Sequence, residues 1–334
     1  MRAMVYATQG QLDLTELPTP EVGAGDMLLA VEACGICGSD VASYLHGHYV
    51  EPGQVLGHEM SATIAGLGDS VSGLELGQRV AVRPSRSCGH CAYCLVNKTY
   101  LCSESGPRTL GYGERGGYAD FVIIRDVVVG ADVVPVPAEL SVEETVWAEP
   151  LAVAVHAIVR AGVDRSTPLL VVGAGSVGLC VVAGAFAVGA PAIVVVEPRA
   201  ERREAAAALN ARAVAPGNLG NASFAAIIDT SGSSVAISEA AQHLDSGGQL
   251  ALVGLGDHAV PWPLPSVEIA GSFAYTDDDF RLAVDHLTSG RVTLSRFVSH
   301  RYGLAQTGEG IAASAQDPTV IKAVIYPALD RADI

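Results

Sequence analysis

The sequence predicts an α/β protein in which a doubly wound parallel sheet accompanies a smaller β-barrel, and three observations carry that prediction. From Leu169 onward, short apolar runs alternate with stretches of helical spacing, as the strands and covering helices of a parallel sheet do. A glycine pattern, Gly173-x-Gly175-x-x-Gly178, stands between the first of those runs and the first of those helices. Residues 1–150 break instead into short β-type runs punctuated by glycine and proline, the texture of an irregular barrel with long loops. A chain of 334 residues has room for both cores.

The elements follow in order. Ala3, Val5 and Ala7 alternate with Arg2, Tyr6 and Thr8, which predicts a half-buried opening strand and no secretory signal. Strands are expected at Met27–Glu32, Ser61–Gly66, Arg79–Val82 and Ala119–Ile124. Near Trp147 the texture changes, and Leu151–Ala161 has helical apolar spacing. The sheet domain is expected from strands at Leu169–Val172, Ala192–Val196, Ala225–Ile228, Gln249–Val253 and Glu268–Phe273. Helices at Gly175–Val188, Ala200–Asn210 and Ser234–Leu244 connect them. Between Asn210 and Ala225 the chain is short, so one crossover helix should be trimmed. The tail, with strands at Phe297–Tyr302 and Ile321–Tyr326 and a helix at Gly308–Ala315, should return to the first domain. The expected domains are 1–150, 151–289 and 290–334.

Leu169 to Val196 holds no charged residue and is long enough to span a bilayer, but its six glycine and proline breaks divide it into strand, helix and strand. The formal charge of -16 argues against a nucleic-acid partner, since no basic patch offsets it. Lys98 and Lys322 are the only lysines, which reads as compositional bias. Seven cysteines are present and four fall within fifteen residues, a pattern suited to metal in a reducing, cytoplasmic compartment.

The glycine pattern is a dinucleotide fingerprint: one glycine for the tight turn, one for close approach of a pyrophosphate, one for helix-on-strand packing. The helix start offers free N–H groups to the phosphates. Glu197 ends the next strand where a carboxylate can grip both ribose hydroxyls, which favours NAD. Arg199 beside it can accept a 2′-phosphate, which keeps NADP open. The candidate cofactor contacts are Gly173, Gly175, Ser176, Val177, Gly178, Glu197, Arg202, Val253, Leu255 and Phe273.

Cys88-x2-Cys91-x2-Cys94-x7-Cys102 places four thiols on one loop, the donor set of a closed structural zinc. His90 within it reads as a bystander. A zinc ribbon for nucleic acid uses similar ligands, but the acidic charge opposes it. A second set combines Cys37-Gly-Ser39-Asp40, Gly57-His58-Glu59 and Glu149-Pro-Leu. It joins one soft, one borderline and one or two hard ligands, as an open catalytic zinc requires. Cys34 three residues before Cys37 makes a redox pair the competing reading.

With these motifs in this order, the chain resembles the zinc-containing medium-chain dehydrogenase/reductase family over essentially its whole length. The resemblance implies a GroES-like catalytic barrel and a Rossmann cofactor domain. It implies two zincs per chain, a nicotinamide cofactor, a small alcohol or ketone substrate, and a homo-oligomer, dimer or tetramer. Cys37, His58 and a glutamate would hold the catalytic zinc, with Ser39 as the first hydroxyl of a proton relay. A glutamate at position 149 resembles the polyol branch, which includes sorbitol and threonine dehydrogenases, and leaves open whether Glu59 or Glu149 is the third ligand. Tyr44 and Tyr275 are the substrate candidates. Two departures stand out. Ala42 occupies a position where many relatives place a relay histidine, which turns attention to His46, His48 or water. Ala274 precedes Tyr275 where sorbitol-type enzymes have arginine. Finer motifs, Cys37-Gly-Ser-Asp-x-x-x-Tyr44, Glu197-Pro-x-Ala-Glu-Arg-Arg203 and Ser299-His-x-x-Gly-Leu-Ala305, are similar to the 2-deoxy-scyllo-inosamine dehydrogenases of aminoglycoside antibiotic biosynthesis, which implies an aminocyclitol, amino sugar or polyol substrate. The alternative from another class is a catalytically silent dinucleotide-binding zinc scaffold or sensor.

Overall fold

The computed structural model describes residues 1–256 and 266–329. It divides into two compact units, one of residues 1–149, 276–288 and 294–334, the other of 150–275 and 289–293.

The first unit opens with an antiparallel hairpin of β1 (Arg2–Thr8) and β2 (Gln11–Glu16). There the simple alternation expected for the first strand fails. Met4 and Tyr6 are buried while Val5 and Ala7 are only half-buried, because Ala3 and Met4 belong to the barrel core. Then come β3 (Met27–Gly35), α1 (Gly38–His46), β4 (Glu59–Leu67), β5 (Arg79–Val82), the short α2 (Ser105–Arg108), β6 (Phe121–Ile124), β7 (Val133–Pro135) and α3 (Val142–Thr145). Helix α4 (Ala148–Arg160) leads out of this unit into the next.

The second unit carries β8 (Leu169–Val172), α5 (Ser176–Val188), β9 (Ile193–Val196), α6 (Ala200–Ala208), β10 (Arg212–Val214), β11 (Phe224–Asp229), α7 (Ser234–Ala241), β12 (Leu244–Leu252) and β13 (Glu268–Gly271). Its six strands pair in parallel in the order β10-β9-β8-β11-β12-β13. Numbered within the unit this is 3-2-1-4-5-6, the doubly wound order of dinucleotide-binding sheets. The uncharged stretch is explained by burial: β8 and β9 are buried along their length, and α5 between them buries eight of its residues. Gly189 ends α5 in the left-handed conformation (φ 93°), its N–H reaching back to the Ala185 and Phe186 carbonyls. Among the described residues no helix is long and apolar enough to cross a membrane. From β10 to β11 the chain crosses without a helix, as the short segment implied.

The chain then returns to the first unit with α8 (Asp277–Thr288), β14 (Val298–Gly303), α9 (Thr307–Gln316) and β15 (Lys322–Tyr326). α8 therefore groups with the barrel, although the sequence-based boundary at 289 had placed its residues with the sheet. The larger barrel sheet runs β14-β15-β3-β4-β5-β7, with β6 also on β3. Strand β15 lies antiparallel to β3, pairing Val324 with Gly35 and Ile325 with Cys34. This tail strand sets the back wall of the site described next.

Candidate active site

Cys37 stands where β3 gives way to α1. It is the N-cap of that helix, and its N–H donates to Asp40 Oδ2 at 2.9 Å. Glu59 opens β4, the neighbour of β3, and His58 immediately precedes it, so the sheet carries all three side chains to one place. Cys37, His58 and Glu59 offer ligand atoms within 4.8 Å of one another. Two glycines make the approach possible. A Cβ on Gly35 would fall 2.2 Å from Glu59 Oε2, and one on Gly57 would fall 2.7 Å from the Tyr118 ring.

Behind this trio lies a buried set of polar groups. Asp40 Oδ1 faces His58 Nδ1 at 3.7 Å, and the Tyr118 hydroxyl donates to Asp40 Oδ2 at 2.9 Å. With Nδ1 turned to the carboxylate, Nε2 is the ring nitrogen available to a metal. Burial opposes a charged His58, but Asp40 and Cys37 outweigh it and lift its pKa well above the ordinary value. Among the described residues Asp40 Oδ1 and His58 Nδ1 face only each other, and the thiol, imidazole and carboxylate of Cys37, His58 and Glu59 are the donor set of an open zinc site.

Glu59 is not a free ligand, however. Its Oε2 accepts from Lys322 Nζ, which also donates to the Ile36 carbonyl at 3.3 Å and sits 5.4 Å from the Trp147 ring centre. Lys322 and Glu59 are both buried. This lysine, dismissed as composition, is the main site residue that sequence reasoning overlooked. Glu149, in the first turn of α4, is close enough to act on the His58 charge but is not one of the three converging groups. Ser39 lies in the first turn of α1. Tyr112 is a second oversight: its ring packs on that of His58, with centres 5.5 Å apart. Tyr44 leans instead on α9, where its hydroxyl lies 3.3 Å from the position a Cβ on Gly308 would take. Cys34 is fully buried and desolvation drives its pKa well up, so a reactive redox pair with Cys37 finds no support.

Cys88, Cys91, Cys94 and Cys102 also bring their sulfurs within 4.8 Å of one another. Four thiolates around zinc at a bond length of about 2.3 Å stand about 3.8 Å apart. Here Cys88 and Cys94 are 3.9 Å apart, and Cys91 and Cys94 3.5 Å. Backbone N–H groups of Cys88 and Cys91 donate to the sulfurs of Cys102 and Cys88. Hydrogen bonds led by the Cys94 backbone lower Cys91 to about 7, and burial raises Cys94 to about 12. The donor set fits zinc. At its root, the buried Arg83 pairs with Asp277 at 2.9 Å and with Asp132, while Arg86 pairs with Asp132 and Glu114. At its tip, Asn97 donates to Asp278 of α8 at 2.8 Å.

In the second unit, Gly173 turns with φ 96°, and a Cβ on Gly178 would strike the Gly173 carbonyl oxygen at 2.2 Å. Ser176 and Val177 start α5. Glu197 is buried at the end of β9, its carboxylate accepting from Ala174 N–H at 2.8 Å and Arg199 N–H at 2.9 Å. Arg202 reaches over the glycine turn, with Nη1 3.7 Å from where a Gly175 Cβ would be. Burial, then repulsion from Arg199, lowers the Arg202 pKa. Val253 follows β12, Leu255 and Phe273 are exposed, and Tyr275 is buried after Ala274, whose φ of 51° is unusual for a non-glycine.

A GroES-like barrel bearing a thiol–imidazole–carboxylate cluster, with a doubly wound sheet bearing a dinucleotide turn, defines a class: zinc-binding alcohol dehydrogenases. Residues 23–138 match the alcohol dehydrogenase GroES-like domain, and 176–289 the zinc-binding dehydrogenase domain. The chain is 30% identical to sorbitol dehydrogenase from Bacillus subtilis over 98% of its length and 97% of the relative's. It is 32% identical to a probable D-xylulose reductase A from Aspergillus terreus over 88% of its length and 90% of that protein's. An alcohol dehydrogenase from Thermus sp. ATN1 superposes with TM-score 0.86 at 26% identity, covering 98% and 99% of the two chains. The protein belongs to the zinc-dependent medium-chain dehydrogenase family and is an oxidoreductase with polyol dehydrogenases among its relatives.

Proposed function

We propose that this protein oxidises a secondary hydroxyl of a polyol-like substrate with NAD, NADP being the alternative cofactor, using one zinc held by Cys37, His58 and Glu59. A second zinc is held by Cys88, Cys91, Cys94 and Cys102. The observation that carries the reading is the convergence of Cys37, His58 and Glu59 within 4.8 Å. When bound, the catalytic zinc supplies Lewis acidity that makes the hydroxyl ionisable near neutral pH, and the nicotinamide accepts the hydride.

The protein's own groups do the rest. Asp40, anchored by Tyr118, orients the His58 ring. Ser39, two residues after Cys37 in the first turn of α1, receives the hydroxyl proton. Glu149 reaches the metal region through water, leaving Glu59 as the direct carboxylate. The start of α5 receives the pyrophosphate, and Glu197 grips the ribose. Arg199 and Arg202 are the groups a 2′-phosphate would use. Among polyols, the motifs around Tyr44, Arg203 and Ser299 favour an aminocyclitol, and the acidic surface suits a cationic amine. The enzyme works in the cytoplasm, a reading supported by cysteines grouped for metal, and as a homo-oligomer, which rests on the family resemblance alone.

The test is NADH and NADPH formation across aminocyclitols, polyols, threonine and simple secondary alcohols, with zinc content measured alongside. Two zincs per chain with NAD-dependent turnover is the expected result. Cys37→Ala or His58→Ala should abolish turnover with the fold retained; wild-type rates in either variant would sink the assignment.

A further inference from the structure

His90 and Glu104 stand against the four-cysteine lobe without belonging to its closed ligand set. His90 Nε2 faces Glu104 Oε1 at 3.8 Å, too long for a hydrogen bond, and the two side chains are 71% and 52% exposed. Among the described residues neither side chain makes a hydrogen bond to any other group. Yet Cys88, His90 and Glu104 each bring a ligand atom within 4.8 Å of the other two. A nitrogen and a carboxylate oxygen bound to one zinc at about 2.1 Å stand about 3.4 Å apart. A small closing movement of two exposed side chains therefore seats an ion between them.

Cys88 is the shared member. Its sulfur also belongs to the set with Cys91, Cys94 and Cys102. Backbone N–H groups of His90 and Cys91 donate to it, the second at 3.3 Å, and fix where it points. The His90 backbone thus grips the sulfur beside which its own ring stands. Cys102 is buried, whereas Cys88, Cys91 and Cys94 are only half-buried, so an ion reaches the inner set from their side. A zinc ion from water must shed its hydration before four thiolates enclose it. A closed tetrahedral site offers no open position at which that exchange can begin, and an entry path has to supply one.

We propose that Cys88, His90 and Glu104 form a surface loading site through which a zinc ion enters and leaves the four-cysteine lobe. The proposal rests on the reading that those four cysteines hold a zinc. The Cys88 sulfur, the His90 ring and the Glu104 carboxylate take the arriving ion, with water completing its shell. Cys91, Cys94 and Cys102 then displace His90, Glu104 and the water one at a time. Each thiol, Cys88 included, gives its proton to solvent as its Zn–S bond forms, and no electron changes hands. Cys88 stays bound throughout. Because His90 and Glu104 are absent from the final shell, they govern the rate of exchange and not the affinity.

The test is exchange of bound zinc for isotopically enriched Zn2+ in the zinc-loaded, full-length protein, followed by mass spectrometry of the metal. Total zinc and competition with a chelator are measured at equilibrium alongside. The exchange phase belonging to the lobe is the one missing from Cys94→Ser. His90→Gln and Glu104→Gln should each slow that phase about tenfold, the low end of what a group supporting a metal site contributes. Zinc content, chelator competition and melting temperature should stay at wild-type values in both. Wild-type exchange in either variant overturns the proposal; if only Glu104→Gln were slowed, attraction of the ion by charge would be the whole effect. Reduced zinc content or weaker competition would make these residues resident ligands, which also overturns it. A wild type with no zinc phase that Cys94→Ser lacks would refute the lobe zinc itself, and the loading site with it.

Discussion

Lys322 is one of two lysines in the chain, and its surroundings make it one of the most exacting positions in the fold. It is buried with Glu59 and has an indole for a neighbour. Removing one member of a buried ion pair leaves the other charge desolvated, at a cost of about 3–5 kcal/mol. Lys322→Met should therefore lower the denaturation free energy by about that amount, read from the midpoint in urea. A loss well under 1 kcal/mol would mean that Glu59 does not depend on the lysine for its charge. Cys37 and His58 were legible as candidates because their side chains announce metal chemistry. Lys322 was not, because a lysine's meaning depends on what it faces, and Glu59 lies 263 residues away. Tyr112 was missed for the same reason: a phenol in a glycine-rich loop has no local signature.

At the level of elements, connections made by single side chains invite test. Glu143 of α3 accepts from Arg301 of β14 at 2.6 and 2.8 Å and from Tyr326 at 2.7 Å. The Arg301 hydrogen bonds hold its carboxyl below the usual carboxylate value. For a depressed carboxylate, the stabilising effect is complete above the unfolded-state pKa and fades as the pH falls through the folded one. Glu143→Gln should thus lower the melting temperature at neutral pH, and the gap to wild type should close on acidification below about 4. Because Arg301 is half exposed the gap will be modest; a gap that widened in acid would contradict the assignment. The four-cysteine lobe offers a larger effect. Cys94→Ser should release the lobe zinc and lower thermal stability, since the lobe tip is bonded to α8 through Asn97 and Asp278. Unchanged metal content would refute it.

Which elements could be read beforehand follows from their local chemistry. Strands β8 and β9 and helix α5 were legible because their apolar residues run without a charge and are set off by Gly173, Gly175, Gly189 and Pro191. Helix α8 was passed over although a signal existed. Thr276 and Asp279 form a reciprocal cap, with Asp279 N–H on Thr276 Oγ1 at 3.1 Å and Thr276 N–H on Asp279 Oδ2 at 2.9 Å. Helix α1 gave less to read: its cap is Cys37 rather than serine or aspartate, and it is stopped by Gly47 in the left-handed conformation. Strands β7 and β10 have three residues each and acquire their identity only from the strands beside them.

For the whole molecule, charge sets one expectation. With a formal net charge of -16 the folded chain repels itself, and added monovalent salt screens that repulsion. The melting temperature should rise between low and moderate salt, because the pairs Lys322 with Glu59 and Arg83 with Asp132 are buried and poorly screened. A fall would show that exposed ion pairs outweigh the net repulsion. The sequence alone determined the two architectures, the dinucleotide turn, the four-cysteine ligand set and the types of ligand at the second site. Each of these is written within a few residues, where spacing and backbone geometry act directly. Only the tertiary structure shows which carboxylate lies beside Cys37 and His58, that Lys322 pairs with it from behind, and that the Tyr112 ring packs on His58. Those outcomes depend on the antiparallel register of β15 on β3 and on the contact of the Gly57 and Gly116 backbones. Such pairings are settled by the packing of distant segments, and no local pattern records which partner a strand will meet.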